Sequence, residues 1–341
     1  MKLRIAQFSP PIIPTPPPLY GGVEKIASHV TEELTRRGHD VTLYATGDSK
    51  TRAKLKYMYK KAVGINKYDP SQGIAHGGMS FDDADRFDII HNHYGIFGIA
   101  LARYVKTPVV TTMHNDYCIP GTPEWHYFKR ACHYVTISRK QQQRNRGLNI
   151  VQTVYNAIDT NKYPLQKDKD DFLLFLGNMW VMKGPDIAIK IAKDLKKKLV
   201  MVGKIDKKYE DFFIENIKPH IDGKRVVYYD NVSEKKKVEL YRRAKCLLFP
   251  IRWEEPFGLV LIEAMSCGTP VVGFGRGSVP EIVDHGRTGF VVNNYKQFLE
   301  SVKKIDQIDP ETCSKHVKET FSIEKMTDGY EEVYRKILKK Q

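Results

Sequence analysis

Short runs rich in Val, Ile, Leu and Tyr recur along almost the whole chain, separated by longer segments whose apolar residues fall three or four positions apart. No other feature restricts the fold as much. The runs LRIAQFS, DVTLYAT, FDIIHNH, TPVVTTMH, HYVTIS and NIVQTVYN read as buried strands, bounded by polar residues, Pro or Gly. Between the first two, GVEKIASHVTEELTRRG places Val23, Ile26, Ala27, Val30 and Leu34 on one helical stripe, with Gly38 as its C-terminal cap. A polar stretch, DTNKYPLQKDKDD at 159–171, interrupts the pattern and reads as a linker. The alternation resumes with DFLLFLGN, KLVMVGK, RVVYYDNV, CLLFP, PVVGF and GFVVN, spaced by helices such as GPDIAIKIAKDLK and one from Ser233. A helix between strands is what lets neighbours pair in parallel. The expected architecture is α/β: two doubly wound parallel-sheet domains over 1–160 and 161–320, then a closing helix over 321–341 that no strand follows.

In such sheets ligands gather beyond the carboxyl ends of the strands, here expected in the cleft between the domains. The first strand–helix junction reads SPPIIPTPPPLYGGVEK. It lacks G-x-G-x-x-G, which disfavours a nicotinamide or flavin dinucleotide. Gly21 and Gly22 instead open a helix after a proline-stiffened loop, where backbone can approach a phosphate; a plain loop-to-helix turn is the other reading. In FLGNMWVMKGPD a strand ends at Gly177, and Lys183 stands just before a helix starting near Gly184–Pro185. A cation there can clamp a diphosphate and stabilise it as a leaving group without a metal, unless the lysine is merely solvated.

The stretch WEEPFGLVLIEAMSCG, 253–268, follows the strand CLLFP and so sits on the ligand side. A helix beginning at Pro256 would leave the amides of Phe257, Gly258, Leu259 and Val260 open to an anion or to sugar hydroxyls. Glu255, at the mouth, can accept hydrogen bonds from a sugar. Glu263, deeper, can accept both hydroxyls of a ribose, as acidic residues do in dinucleotide sites. The competing reading makes Glu255 a helix cap and Glu263 an ordinary surface residue. A glycosidase pair is disfavoured: its carboxyl groups face each other across about 5–10 Å, whereas eight helical residues span about 12 Å.

The formal net charge of +15 favours anionic partners. Dense lysines in KDLKKK, SEKKKVE and YRKILKK suit either solvated helix faces or a partner surface. No apolar run approaches the ~18 residues needed to span a bilayer, and MKLRIAQFSPP reads as a first strand, not as a signal peptide. The cysteines at 118, 132, 246, 267 and 313 show no paired spacing, which suggests neither disulfides nor zinc and fits a reducing cytoplasm. His91 and His93 share one face of a strand end, and Asp83-Ala-Asp85 precedes a strand instead of following one. Both patterns are read as structural, not metal-binding.

Taken together, EPFGLVLIE with the following AMSCGTPVV and GSVPEIV, and LYGGVEKIASHVTEELTRRGHDVTLYATGDS, FDIIHNH, TPVVTTMHN, YNAID and FLGNMWVMKGPDIAI, resemble the retaining glycosyltransferases of family 4. The resemblance extends over nearly the whole chain and favours the subgroup of the avilamycin-pathway enzyme. It implies the GT-B fold, two Rossmann-like domains facing across a cleft. It also implies that Gly21 and Gly22 approach the donor phosphates and that Lys183 binds the diphosphate. Glu263 would hold the ribose and Glu255 the donor sugar. His114, closing TPVVTTMH, matches the histidine beside the transferred sugar and acceptor, and Ser138 in VTIS a small residue nearby. The closing helix would pack back on the first domain. Two positions depart from the family. Gly177-Asn178 stands where Gly-Arg is usual, so Lys183 acts alone, Arg252 or Lys204 substitutes, or donor affinity falls; Ala157 replaces a usual Gly.

The expected activity is a metal-independent, retaining transfer of a sugar, glucose or a related hexose, from a nucleotide donor, UDP above others, to an acceptor hydroxyl. No cofactor or metal is expected. The acceptor, soluble or lipid-linked, is not written in the loops at 10–18, 51–80 and 116–126, and the basic surface leaves room for peripheral membrane contact. Two alternatives stand beside this: a UDP-sugar epimerase of the same architecture, and a non-catalytic, basic nucleic-acid-binding protein. The latter is disfavoured by the lack of an RNP-like aromatic motif or helix-turn-helix.

Overall fold

The computed structural model describes residues 2–19, 21–116 and 120–339. The chain divides into two compact units, Met1–Ala157 with Ile323–Gln341, and Ile158–Ser322. In the first, seven strands form one sheet: β1 (Arg4–Phe8), β2 (Asp40–Tyr44), β3 (Lys54–Lys56), β4 (Ile89–Asn92), β5 (Val109–Met113), β6 (His133–Thr136) and β7 (Ile150–Thr153), in the order β3-β2-β1-β4-β5-β6-β7. Every pairing is parallel, with Ile5 opposite both Val41 and Ile89. Strand order reverses between β1 and β4, the switch point at which such sheets open a crevice. Ser9 and His93, which follow those two strands, therefore stand at the ligand edge.

The second unit repeats the plan with six parallel strands: β8 (Phe172–Leu176), β9 (Lys198–Val202), β10 (Val226–Tyr229), β11 (Cys246–Phe249), β12 (Val271–Phe274) and β13 (Gly289–Val292), ordered β10-β9-β8-β11-β12-β13. Its switch point lies between β8 and β11, so Gly177–Asn178 and Pro250–Glu255 leave the sheet on one edge.

Twelve of these strands coincide with the apolar runs of the sequence. The exception, β3, lies in the 51–80 segment expected to be loop. It is a three-residue Lys-Leu-Lys edge strand, too short and too charged to carry an apolar pattern. That segment also contains a helix, Pro70–Asp82, opened by a capping box in which Asp69 accepts from Ser71 N and Gln72 returns to the Asp69 amide.

The closing helix, Ile323–Leu338, belongs to the first unit. It buries Tyr330, Val333, Tyr334 and Ile337, and Gly329 lets it lie close to Val154, whose methyls would be 3.1 Å from any Cβ there. Arg37 clamps it from the Gly22–Arg36 helix, with Nη1 2.8 Å from both Asp328 and Glu331.

The stretch 159–171 is a correction to the linker expectation. Tyr163 is 1% exposed, Gln166 N donates to Cys267 O at 3.1 Å, and Lys169 Nζ donates to the carbonyls of Arg242 and Cys267 at 2.9 Å. The last two bonds put a cation on the ends of two helices, where carbonyls lack internal partners. The polar run is thus part of the second unit's wall. Of the cysteines, 132, 246, 267 and 313 are free and buried; Cys118 and its neighbours at 117 and 119, within the 116–126 loop, lie outside the described residues. No described helix is long and apolar enough to cross a membrane.

Candidate active site

At the switch point of the second unit, two loops are forced together by a glycine. Gly184 has φ +74°, and a Cβ on it would stand 2.1 Å from the carbonyl oxygen of Pro250. Only glycine accepts both conditions. The contact, with Arg252 N donating to Met182 O at 2.8 Å, lays the 181–184 turn against the loop that leaves β11. Lys183 and Glu255 consequently meet: Nζ lies 2.6 Å from Oε2, with both side chains largely buried. Trp253 Nε1 donates to the same carboxylate oxygen at 2.9 Å, and its ring faces the ammonium at 4.8 Å.

The backbone around Glu255 is braced by the GRGSVPEI segment. Gly277 has φ +57°, and a Cβ there would be 2.2 Å from the Glu255 carbonyl oxygen. Ser278 N donates to Glu255 O at 2.9 Å and Ser278 Oγ to Phe257 O at 2.6 Å. The helix expected from Pro256 begins instead at Leu259 and runs to Ser266, with Gly258 as its N-cap at φ +87°. That positive φ lies outside helical space, so the first turn starts one residue later and its open amides are those of Leu259 and Val260. Phe257 packs inward, 2% exposed and edge-on to Phe321. Because Glu255 precedes the helix, helical rise does not measure its separation from Glu263.

Glu263 is neither exposed nor solitary. At 3% exposure its carboxylate accepts from Tyr163 Oη at 2.9 Å and Tyr241 Oη at 3.0 Å, and Lys237 Nζ lies 3.2 Å away. Lys237 also pairs with Glu234 at 2.9 Å, and Tyr163 Oη, 2.5 Å from Glu234, shares its single hydrogen between that carboxylate and Glu263. Burial works against the Lys237 charge, but Glu263 and Glu234 outweigh it and hold the ammonium above its usual range. Burial, and then Glu263, push both tyrosines upward, so they remain hydrogen-bond donors.

Asn178 and the cations near it follow from β8 and β9. Gly203 lets the two strand ends close, since a Cβ there would be 1.8 Å from Gly177 O, and Met179 N donates to Lys204 O at 3.0 Å. Lys204 is therefore the next-strand neighbour of Asn178, exposed and with no ion-pair partner among the described residues. Arg252, the other suggested substitute, is held by Asp186 at 2.5 and 2.7 Å and by Val181 O at 2.5 Å.

In the first unit, His114 follows β5, 8% exposed, its Nε2 3.1 Å from His93 Nδ1. Ser138 is fully buried and caps the Arg139–Arg144 helix by accepting from Gln141 N at 3.2 Å. Gly21 has a packing reason for being glycine: a Cβ would be 2.4 Å from Ile13 and 2.8 Å from Pro17, which fold over it. Gly22 begins the helix. Glu24, on its first turn, is 6% exposed, and burial raises its carboxyl to about 7. Asp83 accepts from Tyr44 at 2.9 Å and pairs with Lys56 and Arg86, and the described residues contain no cluster of three metal-ligating side chains.

Two family descriptions match consecutive parts of the chain: "Glycosyltransferase Family 4" at residues 20–162 and "Glycosyl transferases group 1" at 158–320. The chain is a family 4 glycosyltransferase of the GT-B fold. An uncharacterized glycosyltransferase of Methanocaldococcus jannaschii is 28% identical, over 94% of this chain and 96% of its own. The N-acetyl-alpha-D-glucosaminyl L-malate synthase of Bacillus anthracis is 26% identical over the same shares. Among solved structures, AviGT4, a glycosyltransferase of avilamycin A biosynthesis, superposes with a TM-score of 0.73 at 21% identity, covering 99% of both chains. Anabaena HepE in complex with UDP-glucose gives 0.74 at 16%, covering 98% of this chain and 100% of its own.

The glycosyltransferase contains polar partners that sequence reasoning passed over. Tyr163 and Lys237 sat in a supposed linker and on a supposed solvated helix face. One signal pointed to Lys237: it falls three and four positions before Leu240 and Tyr241, the helix's buried residues, and so shares their stripe.

Proposed function

We propose that this glycosyltransferase moves a hexose, glucose or a close relative, from a UDP donor to an acceptor hydroxyl with retention and without a metal. The observation that carries the reading is the Lys183–Glu255 pair at the switch-point edge of the second unit, beside the open amides of Leu259 and Val260. In the transfer, the bond from the sugar's anomeric carbon to the diphosphate oxygen breaks, and the acceptor oxygen bonds to that carbon on the same face. The acceptor's proton passes to the departing UDP. Lys183 and the helix amides stabilise the charge growing on the diphosphate, the largest kind of catalytic term an enzyme offers. Glu255 takes sugar hydroxyls, and Glu263, held by its tyrosine and lysine partners, takes the ribose, as the family resemblance implies. Gly21, Gly22, His114 and Ser138 keep the roles that the family resemblance implies. The UDP-glucose complex of HepE supports a uridine donor by likeness of fold.

The test is calorimetric titration of UDP, GDP, ADP and dTDP in EDTA, with Glu263→Gln as the comparison, followed by assay of UDP release from UDP-hexoses. Micromolar binding of UDP that weakens in the variant is the expected result. Binding of none of the four nucleotides, or binding only after a divalent metal is restored, would refute the reading.

A further inference from the structure

Within the first unit, a run of buried side chains is joined end to end by hydrogen bonds that the proposed chemistry does not use. It begins at His114, whose Nε2 lies 3.1 Å from His93 Nδ1. His93 Nε2 lies 2.9 Å from Gln7 Oε1, and Gln7 Nε2 lies 3.3 Å from the Tyr334 hydroxyl on the closing helix. That hydroxyl is 2.7 Å from His91 Nδ1, and His91 Nε2 is 2.7 Å from Thr112 Oγ1. Gln7, His91 and Tyr334 are fully buried and His93 is 1% exposed.

Burial alone pushes His114 down to about 3, burial with the neighbouring His114 does the same to His91, and His93 falls well below its usual range. Each imidazole is therefore neutral, with one N–H donor and one bare nitrogen. The Gln7 carbonyl oxygen only accepts, so the His93 hydrogen sits on Nε2. His93 Nδ1 must then accept, and the one hydrogen of His114 lies on Nε2. The remaining nitrogen, His114 Nδ1, has no partner among the described residues.

We propose that His93 is a positioning residue that fixes the tautomer of His114, leaving Nδ1 as the acceptor for a substrate hydroxyl. The hydroxyl rests on the transferase reading above; the tautomer does not. Turning the Gln7 amide over would reverse every bond in the run and move the hydrogen to Nδ1, where it could only donate. Gln7, on β1, thus determines the sense of the relay and His93 transmits it.

Long-range proton–nitrogen spectra of the full chain labelled with 15N-histidine read this directly, with His114 assigned from a His114→Gln sample. At neutral pH the expected state is neutral His114 carrying its hydrogen on Nε2. In His93→Phe, His114 should shift to a mixture of both tautomers, and kcat for sugar transfer should fall about tenfold while donor KM stays within about twofold. Hydrogen on Nδ1 in the unmodified protein, or an unchanged His114 signal in His93→Phe, overturns the proposal. The first observation needs no variant to fold. An unmodified protein with the expected tautomer that transfers no sugar would count against the transferase donor or acceptor reading and leave the relay standing.

Discussion

Lys183 Nζ lies 2.6 Å from Glu255 Oε2, so the cation proposed for the diphosphate and the carboxylate proposed for the sugar are held as one pair. Each fixes the rotamer of the other, and Trp253 fixes both. Lys183→Ala is therefore expected to do two kinds of damage, removing leaving-group charge and releasing Glu255. The loss in kcat should be on the order of 10²–10³. Glu255→Gln should cost a comparable factor, and the double variant little more than the worse single one, because residues acting as a unit are not additive. UDP release by the three variants checks it; losses that multiply would show the pair to be independent.

Lys237 and Glu263 make a second prediction, about stability. Removing one partner of a buried pair leaves the other charged and uncompensated, at about 3–5 kcal/mol. Lys237→Met should thus lower the melting temperature by on the order of 10 °C. Lys237→Met with Glu263→Gln should recover part of that loss, since the amide can still accept from Tyr163 and Tyr241. Differential calorimetry distinguishes this from a solvated lysine, whose removal would shift nothing.

These two pairs show what a sequence displays and what it withholds. The alternation of apolar runs exposes strands because a parallel strand is buried on both faces, and Val and Ile there need no context. Spacing alone places Lys183 and Glu255 at a helix start and a strand end, and Glu263 is singled out with them because the surrounding motifs resemble a known family. Their partners were not legible in this way. Tyr163 reaches Glu263 across 100 residues, and no local pattern encodes such a meeting; Lys237 shares the stripe of Leu240 and Tyr241 and Trp253 stands two residues from Glu255, but neither spacing names the carboxylate that the side chain meets. The start of the helix at Leu259 was misplaced for a different reason: Pro256 is a good first helical residue, but Gly258 at φ +87° breaks the turn that Pro256 would open.

Glu24 yields a prediction in pH. Burial raises its folded value from 4.5 to about 7, so the folded protein binds its proton more tightly than the unfolded chain does. Its contribution is fully present below about pH 4.5 and is lost as pH rises through 7. The loss amounts to about 3 kcal/mol at 1.36 kcal/mol per unit. Glu24→Gln should match the unmodified protein near pH 4.5 and exceed it in stability above pH 7. Urea unfolding of both proteins between those limits measures the difference; parallel curves would mean that the carboxyl is solvated.

The missing arginine makes the last prediction. Family members usually carry Gly-Arg where this chain has Gly177-Asn178, so one fixed charge at the diphosphate has to come from elsewhere or not at all. Arg252 is already bound through both guanidinium nitrogens to Asp186 and through one of them to Val181 O, and drawing it away would break those bonds. Lys204 has no such tie, and Met179 N donating to Lys204 O at 3.0 Å holds its backbone alongside the Asn178 turn. Its flexible side chain can reach an anion that Asn178 can only hydrogen-bond. Lys204→Ala should raise donor KM about tenfold, which is 1.4 kcal/mol, with kcat changed far less, and should flatten the dependence of UDP affinity on salt. Asn178→Arg should tighten UDP in the Lys204→Ala background more than in the unmodified protein. Equal gains in both backgrounds, or no effect of Lys204→Ala, would mean that Lys183 alone balances the diphosphate and that this glycosyltransferase works with weaker donor binding than its arginine-bearing relatives.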